Sequence, residues 1–142
     1  MKDRIISIWY AVSMKEQEDS IREYLVERGW DRLRPGDLAK SISIEASELL
    51  ELFQWTNPSL EEVKEDAEKI EAIKKELADV LIYCLDMSVL LELDTVDIIE
   101  KKLEKIREKY PADMFRKLES ESEADAEAMY WQIKKESRMR GE

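Results

Sequence analysis

Residues 41–55 read Ser41-Ile42-Ser43-Ile44-Glu45-Ala46-Ser47-Glu48-Leu49-Leu50-Glu51-Leu52-Phe53-Gln54-Trp55, and residues 75–83 read Lys75-Glu76-Leu77-Ala78-Asp79-Val80-Leu81-Ile82-Tyr83. In each stretch two acids stand three residues apart among aliphatic and aromatic side chains. The apolar residues recur at the three- and four-residue spacing of a helix. At about 100° per residue, with Glu45 as origin, Leu52 falls near about −20°, Leu38 about +20°, Leu49 about +40° and Ile42 about +60°. Glu48 lies at about −60°, and Trp55 at about −80° on the same side. The second helix repeats the pattern. With Glu76 as origin, Tyr83 falls near about −20°, Asp79 about −60°, Val80 about +40° and Ile73 about +60°. Each acidic pair therefore sits inside or at the edge of an apolar stripe.

That placement is costly. Like charges three residues apart destabilise a helix by roughly 0.2–0.5 kcal/mol, and burying them unpaired costs several kcal/mol each. No Lys or Arg shares the stripe near Glu45, Glu48 or Asp79, and Lys69, two turns before Glu76, is the nearest cation on that face. A divalent cation resolves the conflict, because carboxylates from two packed helices can supply oxygens to one or two Mg²⁺ and leave positions for water and phosphate. Salt bridges to lysines of another helix are the alternative compensation. Glu51, Glu61, Glu62, Glu65 and Glu104 read as ordinary solvated acids.

Composition sets the frame. The chain has 142 residues, enough for one domain with a modest core. Only 3 Gly and 3 Pro, with 44% hydrophobic and 40% charged residues, fit long amphipathic helices and an all-α fold. The net charge of −11 argues against nucleic acid as a partner. A small anionic substrate is compatible if a divalent cation bridges it to the protein. The absence of histidine removes Ser-His and Cys-His nucleophiles, His-ligated zinc and the Glu-x-x-His di-iron bundle. Any metal must be held by oxygen, which favours Mg²⁺ or Mn²⁺. One cysteine excludes a disulfide within the chain and makes the cytoplasm the default compartment. No signal peptide is visible, and Asp79, Asp86 and Glu92 interrupt the apolar run Leu77–Leu93, against a membrane span.

Along the chain, residues 3–28 read as helix with a possible interruption at Ser13, closed by Gly29. A loop marked by Pro35-Gly36 follows, and Asp37 is a candidate N-cap for a helix to about residue 55. Asn57-Pro58 stops it. Ser59 and Glu62 form a capping box that starts a helix to about residue 93, with a possible break near Glu68. Asp94 and Thr95 open the next helix, which ends at Tyr110-Pro111. Ser120–Glu123 reads as a linker and about 123–138 as a last helix. The organisation expected is one domain over 1–118 and a helical extension over 119–142, packed on the same domain or on a neighbouring subunit.

Trp30, Trp55 and Tyr83 either pack in the core or stack on a base. Cys84 reads as a buried small hydrophobe, and Tyr130 and Trp131 as the residues that dock the final helix. Lys101, Lys102 and Lys105 either meet phosphate or line a solvated face. The run Leu77–Leu93 is apolar on nearly every side, so it needs neighbours all round. That predicts a homodimer or larger assembly with this helix near the interface.

The two quoted stretches closely resemble the MazG-like all-α pyrophosphohydrolase family, whose metal signature is E-x-x-E followed by E-x-x-D. Leu103-Glu104-Lys105 with Lys109-Tyr110-Pro111 resembles the closing helix of its compact dCTP pyrophosphatase branch. The resemblance covers about residues 15 to 112 and implies a four-helix-bundle core, here with an added C-terminal helix, in dimers or tetramers. It implies Mg²⁺-dependent hydrolysis of a nucleoside triphosphate, dCTP-like or modified, to monophosphate and pyrophosphate. Glu45, Glu48, Glu76 and Asp79 are then the metal ligands, with Glu48 or Glu45 also accepting the proton of the attacking water. Trp30, Trp55 and Tyr83 match aromatic positions of the nucleotide pocket, and Lys102 and Lys105 positions that approach the phosphates. The chain departs from the family pattern at Arg34-Pro35-Gly36-Asp37, where relatives carry His before a Pro-Arg-Asn or Pro-Lys-Asn loop, and at Ile106, where many carry Asn. Its tail beyond Pro111 is also longer. Arg34 is a candidate phosphate contact in place of the histidine. The changes at Arg34 and Ile106 fall on substrate contacts and spare the four acids. They also leave room for a second reading, a non-catalytic MazG-like helical interaction module.

Overall fold

The computed structural model describes residues 2–141, with side chains from residue 14 onward except at positions 119 and 121. Among them are seven helices and no strand: α1 Lys2–Glu27, α2 Pro35–Glu51, α3 Leu60–Glu65, α4 Ala67–Leu90, α5 Thr95–Lys109, α6 Ala112–Glu121 and α7 Glu123–Arg140. The all-α reading therefore holds. The chain divides into two compact units, Met1–Val96 and Asp97–Glu142, with the boundary in the first turn of α5.

In the first unit α4 is the central element, and α1, α2 and α3 all pack on it. Helix α1 runs through Ser13 without a break. It ends as Gly29 predicts. Gly29 takes φ 67°, its N–H donates to the Val26 carbonyl at 3.1 Å, and the Trp30 N–H donates to the Leu25 carbonyl at 2.8 Å. Only a residue without Cβ adopts that left-handed corner at no steric cost. Helix α2 starts three residues earlier than Asp37 as N-cap predicts. Pro35 occupies its first turn, where the missing N–H costs nothing, and Arg34 is the extended residue before it. Asp37 instead lies in the first turn, and its carboxylate accepts a hydrogen bond from Lys40 Nζ at 2.9 Å.

The far end of α2 also differs from the expectation. The helix stops at Glu51 and not near Trp55. The ammonium of Lys69 donates to the Leu52 carbonyl and lies over the Phe53 ring at 4.8 Å. A lysine seventeen residues away thus satisfies one of the carbonyls a helix end leaves open. The capping box forms as read. The Ser59 N–H donates to Glu62 Oε2 at 2.7 Å, and the Glu62 N–H donates to Ser59 Oγ at 3.3 Å. The break expected near Glu68 falls at Asp66, whose carboxylate accepts from the Lys69 N–H at 2.9 Å and caps α4.

Helix α4 closes through Glu92 at φ 54°, a left-handed position normally held by glycine, with the Leu93 N–H donating to the Ser88 carbonyl at 2.9 Å. The Ser88 and Thr95 hydroxyls, both buried, meet at 2.5 Å and tie the end of α4 to the start of α5. Among the described residues of the unit, the buried apolar side chains are Leu25 on α1, Leu38 on α2 and Val89 on α4. Outside them much apolar surface is left open. Ile44 and Leu50 on α2 and Leu77, Leu81 and Ile82 on α4 are exposed. Cys84, expected inside, is exposed as well. It follows Leu77 and Leu81 on the same outer face of α4, at the helical spacing of four and seven residues.

The second unit carries one helix more than expected. Residues 112–121 are helical, and the stretch read as a linker narrows to Ser122. Ser122 is extended (φ −166°, ψ 120°), and its side chain accepts from the Asp125 N–H at 3.3 Å, which caps α7. Helices α6 and α7 pack on each other. Tyr110 stacks on Tyr130 at 5.3 Å and meets the Phe115 edge at 5.8 Å. Tyr130 thus docks α7, whereas Trp131, also expected to dock it, is exposed under the Lys134 ammonium at 4.8 Å.

Candidate metal centre

Glu45 of α2 meets Glu76 and Asp79 of α4. One carboxylate oxygen from each lies within 4.8 Å of the others. The helical phase that places each acid on its apolar stripe becomes a single cluster because those stripes pack together. Glu76 is 8% exposed, and its Oε2 is buried with no hydrogen-bond partner. A buried carboxylate oxygen without a donor is unfavourable by several kcal/mol unless a cation reaches it.

Glu48 is exposed and stands outside this trio. Its charge still reaches Glu45. Partial desolvation, then the charges of Glu48, Asp79 and Glu76, push the Glu45 carboxyl above the ordinary range, with Lys75 opposing. The cluster repels itself when no cation is present. Two oxygens bound to one Mg²⁺ at about 2.1 Å lie roughly 3–4 Å apart. The trio's spacing needs only side-chain adjustment to hold such an ion. An all-oxygen, all-anionic donor set fits a hard divalent cation and not a soft one.

A cation not foreseen from the helical phase stands at this cluster. Lys75 Nζ lies 2.8 Å from Glu76 Oε1. Its side chain is 70% exposed, against 11% for Glu76. The α-carbons of neighbouring residues point about 100° apart, but a four-carbon stem closes that gap. Lys69, the cation expected nearest, is instead engaged with the end of α2.

The aromatic residues are distributed unevenly. Tyr83, one turn beyond Asp79, is half-buried. Trp30 is partly exposed and meets the Tyr24 ring edge-on at 6.0 Å. Trp55 lies past the end of α2 and is 87% exposed, so its helical phase does not apply. Arg34 is exposed at the start of α2. Lys102 and Lys105 are exposed on α5 in the second unit.

A second buried acid lies further along α4. Asp86 is 0% exposed; its Oδ2 accepts from the Tyr24 hydroxyl at 3.2 Å and its Oδ1 has no partner. Burial pushes Asp86 up. Burial and the Asp86 charge push Tyr24 up to about 12. In the sequence Asp86 shows only as a charge inside an apolar run.

Residues 40–124 match the sequence model of the MazG-like family. Among characterised proteins, dCTP pyrophosphatase 1 of Rattus norvegicus and that of Homo sapiens are each 32% identical to this chain over 100 residues, 66% of this chain and 56% of theirs. The chain thus spans a little over half the length of these relatives. Among solved structures, a pyrophosphatase from Archaeoglobus fulgidus DSM 4304 is 42% identical, with a TM-score of 0.61, over 70% of this chain and 93% of that one.

Proposed function

The chain belongs to the MazG-like family, and from that premise we propose that it hydrolyses a nucleoside triphosphate to the monophosphate and pyrophosphate with Mg²⁺, or Mn²⁺, as cofactor. The observation that carries this reading is the meeting of Glu45, Glu76 and Asp79, with one buried Glu76 oxygen left without a partner. Relatives named as dCTP pyrophosphatase support a dCTP-like or modified deoxynucleotide as substrate and a role in clearing the nucleotide pool.

Glu45, Glu76 and Asp79 hold the metal in this account, with Glu48 joining from the open side of the cluster. Bound there, Mg²⁺ would polarise phosphate oxygens and lower the pKa of water. Glu45 or Glu48 accepts the proton of the attacking water. Tyr83 and Trp30 hold the base by stacking, and the exposed Trp55 closes over it. Arg34, exposed at the start of α2, offers a cation to the phosphates. The exposed Ile44, Leu50, Leu77 and Leu81 support a homodimer or homotetramer. The net charge of −11 and the resemblance to nucleotide pyrophosphatases support an enzyme acting on free nucleotides in the cytoplasm; among the described residues no helix is long and apolar enough to cross a membrane.

The test is pyrophosphate release from a panel of ribo- and deoxynucleoside triphosphates, with and without Mg²⁺. The reading expects metal-dependent release from at least one deoxynucleotide. Metal binding without release from any nucleotide points to the helical interaction module instead.

A further inference from the structure

We propose that Lys75 is a tethered counter-ion of the acidic cluster: it holds Glu76 in the metal-free protein, yields that carboxylate to the divalent cation, and then takes a phosphate oxygen of the substrate. The inference rests on the metal-dependent reading above and extends it to a residue that the metal signature does not contain.

The two carboxylate oxygens of Glu76 have unlike surroundings. Oε1 accepts from the Lys75 ammonium at 2.8 Å, and Oε2 is buried with no partner. The carboxylate is thus half satisfied. The satisfied half holds a largely exposed cation, and the other half is an anionic oxygen that no donor among the described residues reaches. Lys75 does not serve Glu76 alone. Its charge also acts on Asp79, Glu48 and Glu45, so one ammonium, placed on Glu76, is coupled to all four acids. The neighbouring Lys74 differs. It pairs with Glu71 at 2.6 Å, one turn back on the exposed face, and is not among the charges that shift Glu45.

A divalent cation held by Glu45, Glu76 and Asp79 would place two positive charges within a few ångströms of the ammonium, which itself lies 2.8 Å from Glu76 Oε1. Coulomb repulsion then drives Lys75 off Glu76. Its stem has four rotatable carbons and little packing to hold it, so displacement costs little. An anion arriving at the metal is the natural next partner, and a triphosphate supplies several charged oxygens there. The same side chain therefore acts in opposite senses, weakening metal binding before substrate arrives and strengthening substrate binding afterwards.

Those opposite signs make the test selective. Calorimetric titration of the metal-free full chain with MnCl₂ should show Lys75→Met binding about threefold to tenfold tighter than wild type, the size expected for removing one nearby like charge at a solvated site. Lys75→Arg keeps the charge and should stay within about twofold of wild type. Lys74→Met makes the same change in net charge and should also stay within about twofold. In steady-state assays Lys75→Met should raise KM for the triphosphate by about tenfold and leave kcat within about threefold, and Lys75→Arg should restore most of the loss. A Lys75→Met titration that superimposes on wild type overturns the counter-ion role. So does equal tightening in Lys74→Met, which would be a general charge effect. The two readings fail separately. If wild type turns over nucleotide but Lys75→Met changes neither metal affinity nor KM, Lys75 has no such role and the enzyme assignment stands. If wild type binds Mn²⁺ but releases no pyrophosphate, the enzyme assignment fails and takes the phosphate half of this proposal with it.

Discussion

Asp86 has a fully buried carboxylate with one oxygen on the Tyr24 hydroxyl and one on nothing. The linkage follows from the two shifts. Asp86 is raised in the fold, so ionising it disfavours the native state. Its contribution improves as pH falls from the raised value toward the ordinary aspartate range, and above that window the penalty is complete. Tyr24 is also raised, so the native phenol resists ionisation. Stability is then lost as pH rises from 10.0 toward about 12, where the unfolded chain ionises first. Tyr24→Phe should abolish that alkaline step, measured as the melting temperature of wild type and variant across the window. An identical alkaline decline in both proteins would refute the assignment. Residue-scale chemistry was only partly legible in the sequence. Glu45, Glu76 and Asp79 could be read because phase alone sets them on apolar stripes. Lys75 escaped because phase describes where an α-carbon points and not how far a flexible stem reaches. Asp86 was visible as a charge in an apolar run, but only the packing of α1 on α4 reveals Tyr24 as its partner.

Helix ends show the same division between local and distant causes. The Gly29 corner and the Ser59–Glu62 capping box are encoded within six residues, and both form as read. The end of α2 is not local. Lys69 reaches the Leu52 carbonyl from another helix, one residue past the last residue of α2, Glu51. The phase assigned to Trp55 fails with it. Helix α6 was missed because Ser120–Glu123 is polar throughout, whereas a single extended residue, Ser122, suffices to separate two helices. At the end of α4, Glu92 holds a left-handed conformation that costs a residue with Cβ roughly 1 kcal/mol. Glu92→Gly should therefore stabilise the protein by about 0.5–1 kcal/mol in urea unfolding at unchanged m-value. A destabilised variant would mean that the Glu92 side chain holds the corner through contacts of its own.

At the scale of the molecule, the described residues of the first unit include few buried apolar side chains and many exposed ones. Leu77, Leu81 and Cys84 on α4 and Ile44 and Leu50 on α2 stand in solvent in the single chain. The all-round apolar character of Leu77–Leu93 foretold an open face, and assembly is the ordinary remedy. Sedimentation at micromolar concentration should show a dimer or tetramer, and a clean monomer would refute the assembly. The proposed activity depends on the four acids Glu45, Glu48, Glu76 and Asp79, and it is tested by Mg²⁺-dependent pyrophosphate release by wild type and by Asp79→Ala, assayed together and each paired with a melting curve in metal-free buffer. The account predicts release by wild type only with Mg²⁺, and a loss of at least about a hundredfold in Asp79→Ala. It also predicts a metal-free melting temperature in that variant no lower than wild type, because a repelling carboxylate has been removed. Release that ignores Mg²⁺, or an Asp79→Ala protein that keeps its activity or unfolds for want of a salt bridge, would contradict it.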